Sequence, residues 1–278
     1  MWFYENLHPG IKLGLQGKRV CEKQTKYQNC CIYKTPAFGK VLYLDGIIQT
    51  TEVDEFIYHE MLVHPLLVAC GNPRNVLIIG AGDGGVLREV LKHKVKRVVL
   101  VEIDEDVIKF SKKHLTFLNK GSFNDSRVKV IIEDGAKFVR QTKEKFDIVI
   151  VDSSDPVGPS KILFSGSFYR NVYALLKEKG MMVRQTGSVM LQEKVLRDSH
   201  KLIKNIFPYS IVQLAAIPTY IGGFFSFLIG AKGRNFEKIS YRVIANRYRK
   251  LNLKTKYYNP DIHFSSLKLP NHLKEVIK

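Results

Sequence analysis

Several things are scarce in this chain of 278 residues. It has four cysteines, Cys21, Cys30, Cys31 and Cys70, and their spacing matches no metal-ligand pattern. The adjacent pair Cys30 and Cys31 reads as two strand residues, and the set reads as reduced thiols of a cytoplasmic protein. No window approaches 18 continuous apolar residues, so no membrane-spanning helix is expected. The opening MWFYENLHPG lacks a basic patch followed by an apolar segment and does not read as a signal peptide. Internal repeats and low-complexity tracts are also lacking. Acids are few, 26 against 44 Lys and Arg, for a net charge of +18. That excess raises a nucleic-acid partner, but its distribution speaks against one. From Lys232 to Lys278 there are 12 basic residues against Glu237, Asp261 and Glu275. Half the charge therefore sits in one terminal stretch, expected as a solvated basic helical face.

What is present is a chain 45% apolar and 25% charged, normal for a globular protein with a core. Residues 1–54 alternate in short runs such as KRVCEKQ and KVLYLDG, broken by Gly and by Asp45-Gly46. Period-two alternation with such breaks predicts a small domain of antiparallel hairpins. Residues 55–70, EFIYHEMLVHPLLVAC, predict a helix kinked or broken by its proline. Beyond it, through 278, apolar strands alternate with helices: NVLIIG, RVVLVEI, RVKVII, FDIVIVD and GMMVRQT are the strands. This predicts a parallel sheet covered on both faces. SIVQLAAIP and GGFFSFLIGAK then predict a closing antiparallel pair. The fold class expected is α/β, an S-adenosylmethionine-methyltransferase-like Rossmann sheet with a small N-terminal antiparallel β domain.

LIIGAGDGG places Gly80, Gly82 and Gly84 in the first strand-to-helix turn, where glycine lets the backbone approach a ligand. Glu102 follows Gly80 by 22 residues, at the end of the next strand, where an acid accepts from ribose hydroxyls. Asp83, inside the loop, repels a pyrophosphate and speaks against a dinucleotide. The acids Asp83, Glu102, Asp104, Asp134, Asp152 and Asp155 all follow strand ends. In an open parallel sheet these ends face one crevice. Six acids there call for a cationic ligand. Asp152 ends an apolar strand among other carboxylates, conditions that raise a carboxyl pKa toward that of a useful base. Asp155 could hold a second positive charge. The alternative is that both merely cap the next helix or shape a turn.

The motifs GAGDGGVLREVLKH, VEIDEDVI, VIVDSSDPVGP and IPTY resemble the polyamine aminopropyltransferases, the spermidine synthases. The upstream YQN and VLYLDGIIQTTEVDEFIYHEM and the terminal YYNPDIHFSSLKLPNHLKE are similar too, so the resemblance covers nearly the whole chain. It implies transfer of the aminopropyl group of decarboxylated S-adenosylmethionine to an amine, with no metal and no cofactor, by a homodimer or homotetramer. It implies that Gln28, Glu102, Asp134, Gly135 and Pro159 meet the nucleoside, beside the turn of Gly80 and Gly82. His59 and Asp83 would hold the aminopropyl end, and Asp152 would be the general base. Tyr58, Ser153, Asp155, Gln185 and Tyr220 would position the acceptor. The chain departs from the family pattern at Gly187, where an acid is usual, and at Ile221 and Gly222, where Pro and Ser are usual. These departures suggest an acceptor other than putrescine, or a broad one. Two rival readings stand: a methyltransferase using intact S-adenosylmethionine, whose carboxylate Asp83 opposes, and a nucleic-acid-binding module using the basic tail.

Overall fold

The computed structural model describes every residue except position 234. The chain begins with two antiparallel sheets. β1 (Trp2–Tyr4) pairs with β2 (Gly14–Gln16). β3 (Lys18–Gln24), β4 (Asn29–Thr35), β5 (Gly39–Leu44) and β6 (Ile47–Thr51) form a four-stranded meander in chain order. Cys30 and Cys31 lie on β4, and their thiols are free.

α1 (Glu55–Cys70) follows, buried on almost every side. Its proline was expected to kink or break it, yet the helix runs through Pro65. Proline at 65 offers no N–H to the carbonyl of Met61 four residues back. The Gln213 side-chain amide donates to that carbonyl instead, at 2.9 Å. The turn is therefore satisfied from outside the helix.

The main sheet is built from β7 (Asn75–Gly80), α2 (Gly85–Leu91), β8 (Arg97–Glu102), α3 (Glu105–His114), α4 (Thr116–Asn119), β9 (Val128–Ile132), α5 (Gly135–Gln141), β10 (Phe146–Asp152), α6 (Gly166–Leu175), β11 (Leu176–Ser188), α7 (Glu193–Ile206), β12 (Tyr209–Ala216) and β13 (Phe224–Ala231). The strand order is β12-β13-β11-β10-β7-β8-β9. The five strands β7 to β11 run parallel, and β12 and β13 close the edge antiparallel. Alternate residues of each strand face opposite sides. Ile78, Leu100, Ile150 and Val183 pack with α1 and α2, while Ile79, Val101, Val151 and Met182 pack on the other face with α5, α6 and α7. The chain order of the strands reverses between β7 and β10, and ligands of open α/β sheets bind at such a switch point.

The basic terminal stretch forms α8 (Tyr241–Leu251), α9 (Pro260–Ser265) and α10 (Asn271–Val276). It is docked rather than loose. Arg247 donates to the carbonyls of Val68 and Ala69 at the end of α1. Among the described residues, no helix is long and apolar enough to cross a membrane.

Candidate active site

At the switch point the backbones of β7 and β10 nearly touch. Gly80 has φ +82°, and a Cβ there would lie 2.0 Å from the carbonyl oxygen of Asp152. That carbonyl accepts from the Ala81 N–H at 3.0 Å. Only glycine permits this approach, and it brings the glycine turn and Asp152 together.

Helix α1 supplies the opposite wall. Tyr58 donates its hydroxyl to Asp152 Oδ1 at 2.5 Å. His59, the next residue, sits between two carboxylates: Nδ1 is 2.7 Å from Glu55 Oε2 and Nε2 is 3.5 Å from Asp83 Oδ2. Ligand atoms of His59, Asp83 and Asp152 all lie within 4.8 Å of one another. Burial pushes the Asp152 carboxyl up and Asp83 adds to this. His59 and the Tyr58 bond oppose it, and the balance is about 6. Burial works against a charge on His59, but Asp83 and Glu55 outweigh it and hold the ring protonated up to about 10. With Nδ1 on Glu55 and Nε2 toward Asp83, both His59 nitrogens face carboxylates, which leaves the oxygens of Asp83 and Asp152 as the acceptors of this group.

Glu102 is buried beside the glycine turn, where a Cβ on Gly82 would come 3.1 Å from its Oε2. Burial raises it to about 7, against the backbone donors of Asp104 and Ile103. Two of the six acids expected to line the crevice are occupied otherwise. Asp104 caps α3, and its other oxygen accepts from Thr25 at 2.6 Å and from Gln28 at 3.3 Å. Asp134 caps α5 through the N–H groups of Ala136 and Lys137, with Gly135 opening that helix. The Asp104 contacts fasten Gln28, at the start of the β4 hairpin arm, over the end of β8.

On the other side of Asp152 the segment Ser153–Phe164 folds over the strand ends and includes a 3-10 turn, Gly158–Phe164. Neither Asp152 nor Asp155 caps α6; Ser165 does so, accepting from the Phe168 N–H. Gln185 on β11 donates to the Ser153 carbonyl at 3.0 Å and lies 3.5 Å from Asp155 Oδ1. Burial raises the Asp155 carboxyl, against bonds from Gln192 and Gln185. The Ser153 hydroxyl and Gln185 Oε1 are buried without partners. Pro159 stands exposed at the outer edge of the segment. Tyr220, held by a bond to the Gln49 carbonyl at 2.6 Å, packs its ring 5.6 Å from Tyr58.

Several residues here escaped sequence reasoning. Glu5, on the N-terminal segment, is buried with Oε1 unpartnered, and burial with the Asp155 charge raises it to about 7. No motif marks it. Arg184 is fully buried, its guanidinium 3.3 Å from the Phe164 ring centroid and bonded to the Leu163 carbonyl and the Tyr169 hydroxyl. A charged residue within GMMVRQT was the available signal. Gln192 fills the space beside Gly187, where φ is +79° and a Cβ would lie 2.1 Å from Gln192 Oε1.

Comparison with known proteins agrees along the whole chain. Residues 55–239 match the family model described as the spermine/spermidine synthase domain, and residues 1–52 match the spermidine synthase tetramerisation domain. The polyamine aminopropyltransferase of Thermoanaerobacter pseudethanolicus is 45% identical over 99% of this chain and 98% of its own. Polyamine aminopropyltransferase 1 of Pseudomonas aeruginosa is 42% identical over 92% and 90%. Among solved structures, the spermidine synthase of Thermotoga maritima is similar with a TM-score of 0.93 at 36% identity, over 100% of this chain and 94% of that one. A spermidine synthase in complex with the transition state analogue AdoDATO gives a TM-score of 0.95 at 36% identity, with the same coverage.

Proposed function

This chain belongs to the spermine/spermidine synthase family, and on that footing we propose that it transfers the aminopropyl group of decarboxylated S-adenosylmethionine to an amine acceptor. The observation that carries this reading is the partly buried Tyr58–Asp152–Asp83–His59 group at the switch point. Two carboxylates there suit two cationic substrates. A donor with an intact carboxylate would bring it onto Asp83.

In this reading Glu102 receives the ribose hydroxyls, while Gln28, Asp134, Gly135 and Pro159 flank the base. Gly80 and Gly82 let the backbone come close to the nucleoside. Asp83 accepts from the aminopropyl ammonium, and His59 holds Asp83 in place beside it. Tyr58, Ser153, Asp155, Gln185 and Tyr220 orient the acceptor. Asp152 takes a proton from the acceptor ammonium, and the freed nitrogen lone pair attacks the methylene carbon beside sulfur. The N–C bond forms as the C–S bond breaks. The electron pair of the breaking bond goes to sulfur, and methylthioadenosine leaves neutral. The sulfonium supplies its own leaving group, so the reaction as written needs no metal and no cofactor. Rate enhancement then comes from alignment and deprotonation.

For the acceptor, Gly187 and Ile221 leave no acid or rigid proline at the far end. We infer putrescine or a related amine such as cadaverine, agmatine or spermidine. We also infer a homodimer or homotetramer assembled through the N-terminal strands, working in the cytoplasm without a nucleic-acid partner. The test is product identification by mass spectrometry with decarboxylated S-adenosylmethionine and each amine, for the native chain and Asp152→Asn. Methylthioadenosine plus an aminopropylated amine, nearly abolished in the variant, is expected. Consumption of intact S-adenosylmethionine with no amine product would overturn the reading in favour of a methyltransferase.

A further inference from the structure

His59 does not stand alone behind the reacting groups. Glu55 lies one turn earlier on α1, so both side chains share a face. Behind it, Arg88 of α2 makes two parallel bonds to the Glu55 carboxylate, at 3.0 and 2.8 Å. Arg88 is fixed in turn by Glu89 at 2.7 Å and by the Leu118 carbonyl at 2.7 Å. All of these groups are buried or nearly so. Gly85 completes the arrangement, since a Cβ there would lie 2.4 Å from the His59 ring. The result is an unbroken line of charge running Arg88, Glu55, His59, Asp83, with Asp152 alongside.

We propose that Glu55, locked by Arg88, is a positioning residue of the reaction: it holds His59 as an imidazolium beside Asp152 and so keeps the base ionised. This rests on the aminopropyl-transfer reading for the role of Asp152, but not for the state of His59. A carboxylate held by a bidentate guanidinium only accepts hydrogen bonds. His59 Nδ1 must therefore carry a proton, and the ring turns Nε2 toward Asp83 and the crevice. The titratable and charged groups facing the ring are Glu55 on its own helix, Arg88 behind that, Asp83 on the glycine turn, and Asp152 with Tyr58 across the crevice. Burial opposes ionisation of Glu55, yet His59 and Arg88 hold its carboxyl down at about 2. The His59 charge in turn lowers Asp152 against burial and Asp83.

The test uses Glu55→Gln and the double variant Glu55→Gln/Arg88→Met. The double variant removes the buried pair together and guards against an unpaired Arg88 that prevents folding. Two readouts are taken on the full chain. Histidine-selective NMR follows the His59 ring, whose titration midpoint falls by roughly one unit or more once the carboxylate is gone. The pH profile of kcat/KM for methylthioadenosine release follows Asp152. Its acid limb moves to higher pH, and kcat/KM near neutral pH drops by about tenfold or more, as for outer-shell orienting groups elsewhere. A folded double variant with the native His59 midpoint and native acid limb refutes the proposal. If the native chain releases no methylthioadenosine, the functional reading fails, and the His59 midpoint still decides the claim about Glu55.

Discussion

Replacing Asp152 with Asn should abolish activity and at the same time stabilise the fold. The carboxyl of Asp152 is raised from its ordinary 3.8 to about 6, by burial first and by Asp83 second. A raised carboxyl binds more protons in the native than in the unfolded chain across that interval. Stability therefore falls as pH rises from about 4 to about 6, then stays lower by a constant amount. Two units correspond to about 3 kcal/mol. Asparagine keeps an oxygen for the Tyr58 hydroxyl and carries no charge, so the variant recovers most of that deficit. For a chain of this size the gain amounts to roughly 5 °C or more in Tm. The assay is thermal unfolding of native protein and Asp152→Asn at equal concentration, at pH 8 and again near pH 4. The variant should melt higher at pH 8, and the gap should shrink to a small fraction near pH 4, where the folded carboxyl is protonated and the unfolded one nearly half so. In parallel, kcat/KM of the native chain should rise through an apparent pKa of about 6. Equal melting at pH 8, or a gap unchanged at pH 4, would refute the argument that Asp152 is held ionised against burial.

Two further outcomes follow from the same geometry. Gly80→Ala should cost more than about 3 kcal/mol, since it combines a strained positive φ with a Cβ 2.0 Å from a bonded carbonyl; soluble yield and Tm report it, and a native-like melt would contradict the contact. Arg184→Met should lower Tm by a few degrees, since it removes the donor to the Leu163 carbonyl and the Tyr169 hydroxyl, and should free the Leu163–Phe164 end of the segment over the crevice. We expect KM for the nucleoside donor to rise several-fold with a smaller change in kcat, read by initial rates at saturating amine.

Much of this was legible because the signals are local. Apolar runs of five to seven residues separated by amphipathic stretches can hardly be anything but a covered parallel sheet, and the glycine turn fixes its first crossover. Tyr58, His59, Asp83 and Asp152 were accessible because each stands in a matched motif, and the fold brings them together. What stayed hidden depends on partners distant in sequence. Pro65 reads as a helix breaker until Gln213, 148 residues later, is seen to satisfy the orphaned Met61 carbonyl. Asp104 and Asp134 read as free crevice acids, but each serves its own helix as a cap. Nothing in the sequence links Arg88 to α1. Only the packing of α2 on α1 turns it into the partner of Glu55.

The burial of α1 raises a question of azimuth. A helix with one apolar stripe is oriented about its axis by that stripe. α1 is buried on nearly every side and has no such guide. Its rotation is instead keyed by three consecutive residues pointing in three directions. Tyr58 engages Asp152, and His59 engages Glu55 and Asp83. Glu60 collects the backbone N–H groups of Lys256, Tyr257 and Tyr258, each at 2.8 Å. Turning the helix by a single residue, about 100°, breaks all three keys together. The far end of the chain thus acts as a detent on the helix that carries the catalytic wall, and the orientation of Tyr58 is checked some 200 residues away from it.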